Sequence, residues 1–132
     1  MNNEHDNTQA VKGAIDALIA AGTSFDVDQL ELIYHNDLVV VMLDPNGNVN
    51  EANKEAFKGL FQSKRDNGDP PLNTWADFHH ISADAVKGHV VLTRKVKLMA
   101  DEQTITLSID LVFEDERWQV TREVIFVHPE NG

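Results

Sequence analysis

Two arginines, a histidine and an aspartate stand where alternation in the second half of the chain predicts hydrocarbon: Asp77, His79, Arg94 and Arg122. A guanidinium among apolar side chains is costly unless it is paired or hydrogen-bonded, so something polar must meet Arg94 and Arg122. A histidine beside a carboxylate is a proton shuttle, and burial moves the pKa values of such groups toward useful ranges. The expected chemistry is acid/base work on a small anionic or carbonyl-bearing compound. His79 would serve as base or acid, Asp77 would orient it, and Arg94 and Arg122 would hold the ligand. Trp75 and Trp118 share the same face and are expected to wall the pocket, while Tyr34, ending a short helix, points its hydroxyl at the mouth.

A structural reading stands beside this one. Arg122 and Asp77 would form an ion pair at a sheet edge, His79 would be hydrogen-bonded beneath helices, and Tyr34 would be a core residue with a wet tip. Other sets are weaker. His79-His80 are adjacent strand residues that face opposite ways, so they do not share a metal ion. Asp44-Pro45-Asn46-Gly47-Asn48 lacks the longer acidic loop of a calcium site and reads as a turn. Glu114-Asp115-Glu116 is a solvated hairpin tip, and nothing matches a phosphate loop or a nucleophile elbow. No metal and no cofactor are therefore expected.

The elements that must position these residues follow from periodicity. Val11, Ile15, Leu18 and Ile19 form one stripe of a helix from about Thr8 to Ala21, which Gly22 ends. Asp26 with Gln29 resembles a capping box, and Val27, Leu30, Ile33 and Tyr34 share the face of a second helix. The run Leu38 to Leu43 is β-branched and turns back through Asp44-Pro45-Asn46-Gly47 toward Val49 as a hairpin. Ala52, Ala56, Phe57, Leu60 and Phe61 define a third helix over Glu51 to Asp66, stopped by Asn67-Gly68 and the two prolines.

From Asn73 to Val127 the chain alternates, with turns expected at Lys87-Gly88, Asp101-Glu102 and Asp115-Glu116, giving a four-stranded antiparallel meander. With two-residue turns at the last two, Ile109 lies opposite both Arg94 and Arg122; with the first turn at Lys87-Gly88, Ile81 lies opposite Arg94, and Trp75, Asp77 and His79 join its face. One face then carries Val90, Leu92, Val96, Leu98, the odd positions Ile105 to Phe113, Trp118, Val120, Val124 and Phe126. The other carries Thr93, Lys95, Lys97, Thr106, Ser108, Asp110, Thr121 and Glu123, solvated or dimer-forming. The order α-α-β-β-α-β-β-β-β makes the class α+β.

Composition bounds the rest. The 132 residues suit one domain, residues 1–132 with an ordered core of about 8–127, and 42% hydrophobic content suits a globular chain. No apolar run reaches the roughly 20 residues of a membrane span, and the acidic, amide-rich start is no secretory signal, so a soluble cytoplasmic protein without a membrane partner is expected. The absence of cysteine excludes disulfides and thiolate chemistry. A formal charge of −11 repels nucleic acid.

The element order, the strand His79-His80-Ile81 and the segment from Leu111 to Val120 that closes the sheet resemble the nuclear transport factor 2-like superfamily, which includes ketosteroid isomerases and polyketide cyclases. The resemblance covers nearly the whole chain and implies a cone-shaped, usually dimeric domain, in which a strongly bent antiparallel sheet wraps three helices around a pocket for an apolar small molecule. It also implies that inward residues of the long strands carry the chemistry. The isomerases' full set of carboxylate base, tyrosine and neutral acid is not matched, so steroid isomerisation is not expected. Two functions follow: a pocket protein of acid/base type binding an unidentified small molecule, or a non-catalytic homodimeric module using Phe78, Val91, Val112 and Ile125 on the outer sheet face.

Overall fold

The structure, a computed structural model, describes residues 3–97 and 102–129. Helix α1 spans Asn3–Thr23, α2 Val27–Ile33 and α3 Lys54–Asp66; the strands are β1 Tyr34–Leu43, β2 Val49–Asn53, β3 Ala76–Ala83, β4 Lys87–Val96, β5 Gln103–Glu114 and β6 Arg117–Val127. The expected order of elements is observed. The helix caps are local in origin: Asp26 Oδ1 accepts from the Gln29 amide at 3.3 Å, and Asn53 Oδ1 from the Ala56 amide at 2.9 Å. Asn53 starts α3 three residues later than the apolar spacing suggests, and the residues before it form β2.

Six strands make one open sheet in the order β2-β1-β6-β5-β4-β3. All neighbours are antiparallel except β1 and β6, which run parallel, so the sheet is mixed rather than wholly antiparallel. The helices cover one face, where Val11, Ile15, Leu30, Val90, Leu92, Ile109 and Val120 are buried. This is the α+β architecture the sequence predicts. No helix among the described residues is long and apolar enough to cross a membrane.

The meander turns differ in place but mostly keep parity. Asp115-Glu116 is the expected two-residue turn, with φ of 53° and 62°, closing Glu114 onto Arg117. Asp101 and the core-face residue Leu98 lie outside the described residues; Arg94 pairs with Ile105 rather than Ile109, four positions along, so the faces stay as predicted. The first turn is at Asp84 to Val86, where Asp84 Oδ1 accepts from the Val86 and Lys87 amides. Gly88 is therefore a strand residue paired with Ala83, and Ile81 pairs with Val90. A Cβ at Gly88 would stand 2.7 Å from Val11 Cγ2, so its glycine lets α1 approach the sheet.

Two β-bulges overturn the predicted faces beyond them. In β3, Phe78 pairs with Leu92 but His80 with Val91, leaving His79 extra; in β6, Val120 pairs with Leu111 but Arg122 with Asp110, leaving Thr121 extra. Each extra residue inverts the strand past it. Thr121 Oγ1 donates to the Asp110 carbonyl at 3.2 Å, giving that carbonyl a partner at the irregularity. As a result Glu123 and Ile125 turn into the core, while Arg122 and Phe126 are exposed and Val124 is only half-buried. Phe113 keeps its predicted side but lies at the end of the sheet, exposed and packed on Trp118 at 5.4 Å between ring centroids.

Candidate functional site: a buried carboxyl, a phenol and a guanidinium

Between the helices and the sheet lies a cavity of about 60 Å³ with largely hydrocarbon walls. Leu18 and Ile19 of α1, Phe57 and Phe61 of α3, and Leu107 and Ile125 of the sheet are among its lining residues. Four polar residues line it: Thr23 of α1, whose hydroxyl donates to the Ile19 carbonyl at 2.7 Å, and Tyr34, Arg94 and Glu123, each from a different strand.

Tyr34 is the residue at which α2 hands over to β1: its N–H still bonds to the Leu30 carbonyl while its backbone is already extended. It is 2% exposed, and its ring packs against Phe57, which packs edge-on against Phe61. The base of β1 is further held by Lys54, whose Nζ donates to the Glu31 carbonyl at 2.9 Å and to Asn36 Oδ1 at 3.1 Å. Burial raises the phenol pKa well above its ordinary range, and the nearby Glu123 charge raises it further, so Tyr34 stays protonated and is a hydrogen-bond donor.

Arg94 projects inward from β4 as predicted. Its Nε donates to the Trp75 carbonyl at 3.0 Å and an Nη to the Asn73 carbonyl at 2.7 Å, so the loop before β3 supplies the polar partners that its burial demands. Burial lowers its pKa, against the opposing pull of Glu123 and Tyr34.

Glu123 is the residue that sequence reasoning placed on the solvated face. It is 3% exposed, and its Oε2 has no hydrogen-bond partner among the described residues. Burial pushes its pKa up from 4.5 to about 7, against hydrogen bonding with the Tyr34 hydroxyl and the Arg94 charge, both of which lower it. A carboxyl half-ionised near neutrality, next to a phenol donor and a fixed positive charge, can take a proton from carbon or oxygen and return it.

The other predicted site residues lie elsewhere. The β3 bulge turns Asp77 outward opposite Thr93, and His79 is exposed with its Nε2 2.7 Å from Thr93 Oγ1 on the outer face. Arg122 is exposed opposite Asp110 on that same outer face, and it makes no ion pair with Asp77 within 4.0 Å among the described residues. Trp75 is 44% exposed beneath Lys95, lending Arg94 only its backbone carbonyl. Trp118 is partly buried against Phe113 and lines no part of the cavity. Of the seven residues, Arg94 and Tyr34 reach the cavity. The missed residue, Glu123, carried no local signal: with Val124-Ile125-Phe126-Val127 apolar throughout, the strand past Thr121 reads as half-buried in either parity.

No protein-family model and no curated protein matches the chain. Solved structures do. An NTF2-like protein from Cytophaga hutchinsonii superposes with a TM-score of 0.72 at 19% identity, over 97% of this chain and 100% of that one. An NTF2-like protein of unknown function from Shewanella baltica gives 0.73 at 12% identity over 92% and 94%, and a ketosteroid isomerase-like protein from Erwinia carotovora atroseptica gives 0.62 at 12% identity over 92% and 95%. The chain has the NTF2-like fold. At these identities the likeness is one of architecture, and what the site does has to be read from its own residues.

Proposed function

We propose that the cavity is a small-molecule site of acid/base type, with Glu123 as the group that takes and returns a proton, Tyr34 as donor to an oxygen that gains negative charge, and Arg94 as the charge that holds the carboxylate ionised when it must be. The observation that carries this reading is Oε2 of Glu123, without a hydrogen-bond partner among the described residues, in an apolar cavity. A buried carboxyl oxygen without a partner costs about 1–3 kcal/mol or more, a cost that structure alone does not require and that a ligand hydrogen would offset. The space suits a compact compound: about 60 Å³ is on the order of four to six water-sized positions. A small ketone or aldehyde fits this description.

The test is exchange of α-hydrogens for deuterium in butanone and cyclopentanone dissolved in D2O, followed by NMR. The expected result is catalysed exchange that rises with pH to a plateau above about 7, as Glu123 ionises, and that falls by about 10²-fold or more in Glu123→Gln. Tyr34→Phe lowers the rate without moving the midpoint to ordinary carboxylate values. No exchange above buffer, or wild-type rates in Glu123→Gln, sinks the acid/base reading.

A second reading, a homodimeric module, is supported by one feature of the outer sheet face. Phe126 stands there 43% exposed, displaced outward by the β6 bulge. Of the residues predicted for this surface, Val91 and Val112 remain outside, whereas Phe78 and Ile125 have turned inward with the bulges. Sedimentation velocity tests it: a dimer that Phe126→Asp converts to monomer supports assembly through this face, and a monomeric wild-type chain removes it. The two readings are compatible, because cavity and outer face lie on opposite sides of the sheet.

A further inference from the structure

The outer sheet face holds a second concentration of chemistry, unrelated to the cavity. The β3 bulge places His80 opposite Val91, on the face away from the helices, and His89 reaches the same face from β4, where it pairs with Ser82. The two imidazoles are diagonal neighbours across the strand pair, with ring centroids 6.1 Å apart at 53°. His80 is exposed, and the His89 side chain is 35% exposed beside a groove that Asp110 and Thr121 help to line.

We propose that His80 and His89 form a two-imidazole site for a divalent transition metal of the zinc type. A metal–nitrogen distance of about 2.0–2.1 Å puts the ion roughly 3.2 Å from each ring centroid, so two imidazoles on one ion have centroids between about 5 and 6.4 Å apart. The observed spacing falls within that interval before any side-chain adjustment.

His89 is also prepared for the task. Its Nδ1 lies 2.7 Å from Asp110 Oδ1, a carboxylate contact that places the ring proton on Nδ1 and leaves the lone pair on Nε2. That is how carboxylates orient metal-binding histidines. Among the described residues the polar contact of Nε2 is Ser108 Oγ at 3.4 Å, a weak one that a metal would displace. Among the described residues no three side chains of metal-binding type converge, so the protein supplies two ligands and water completes the shell from the groove side. A chain of formal charge −11 favours a cation over its surface. The pairing differs from the adjacent His79-His80 pair rejected on sequence: His79 is engaged by Thr93, and the partner of His80 comes from the next strand.

The test is a calorimetric titration of Zn²⁺ into the full, tag-free chain, read in parallel by the imidazole NMR signals of the wild type. One site is expected, with shifts at His80 and His89. His80→Gln and His89→Gln each weaken it by at least about tenfold, Asp110→Asn weakens it by about 10-fold or more, and His128→Gln leaves it unchanged. The wild-type NMR reading stands even if a variant folds poorly. Unchanged affinity in both histidine variants, shifts confined to His5, His35, His79 or His128, or no binding at millimolar Zn²⁺ overturns the proposal.

Discussion

Glu123→Gln is expected to make the protein more stable, not less, at pH 8. The folded-state pKa of Glu123 is raised from 4.5 to about 7, so the folded protein holds this proton more tightly than the unfolded chain. Below about pH 4.5 both states are protonated and the side chain imposes no penalty. As pH rises from 4.5 to 7 the unfolded chain ionises first and stability falls; above 7 the loss is constant at roughly 3 kcal/mol. Glutamine keeps the shape and removes the charge, so the variant should match the wild type near pH 4.5 and exceed it by about 1–3 kcal/mol at pH 8. Urea melts of both proteins across that range measure the difference directly, and subtracting one from the other cancels other groups such as Asp44, Asp84 and Glu31, whose pKa values are lowered. A flat difference between pH 4.5 and 7 would show that the carboxyl is better solvated than its burial implies. A gain in stability with loss of exchange activity is the trade expected of a strained functional group.

Arg94→Met is expected to act in the opposite sense, and its cost should depend on pH. The substitution removes the hydrogen bonds to the Trp75 and Asn73 carbonyls, which hold the loop before β3 against β4. Bonds to a charged donor are worth about 1.5–3 kcal/mol each, partly offset by no longer burying a guanidinium, so a net loss of about 2–4 kcal/mol is expected. At pH 8 the loss should be the larger, because Glu123 is then an anion deprived of its nearest cation; at pH 5 the carboxyl is protonated and only the loop contacts are lost. The midpoint of the Glu123 titration should also move above about 7, since the Arg94 charge is one of the causes that lower it. Denaturation midpoints at the two pH values decide the matter. Equal losses would mean that Arg94 serves the loop alone, and in the double variant with Glu123→Gln the two effects would simply add.

Much of the fold could be read from residues whose spacing admits one answer. Val11, Ile15 and Leu18 are buried as one stripe of α1, and Asp115-Glu116 closes the last hairpin as a two-residue turn. Arg94 was legible because Leu92 and Val96 flank it on the same side of an unbroken strand. The site failed where alternation was itself ambiguous. In Val124-Ile125-Phe126-Val127 either parity reads as apolar, so nothing local shows that the strand has slipped by one at Thr121. Phe78 and Ile81 are three apart, and both can pack on the core only if an extra residue lies between them; that residue is His79. Asp77, His79 and Arg122 were thus assigned to the wrong face for one physical reason, and Glu123 was missed for the same one. Tyr34 was expected on a helix, whereas its place at the first residue of β1 is what buries it.

The extra residue at Thr121 has a consequence for how such a domain changes its chemistry over generations. Closing the bulge without losing a residue, so that Thr121 takes the place of Arg122 opposite Asp110, would return β6 to even alternation, carrying Arg122 inward and Glu123 out while leaving every helix and the β5–β6 turn in place. The interior would then hold two cations and no anion, and would select an acidic guest instead of abstracting a proton. A one-residue slip of register, rather than a series of substitutions, separates these two interiors, so relatives sharing this scaffold can diverge in activity faster than their overall similarity suggests.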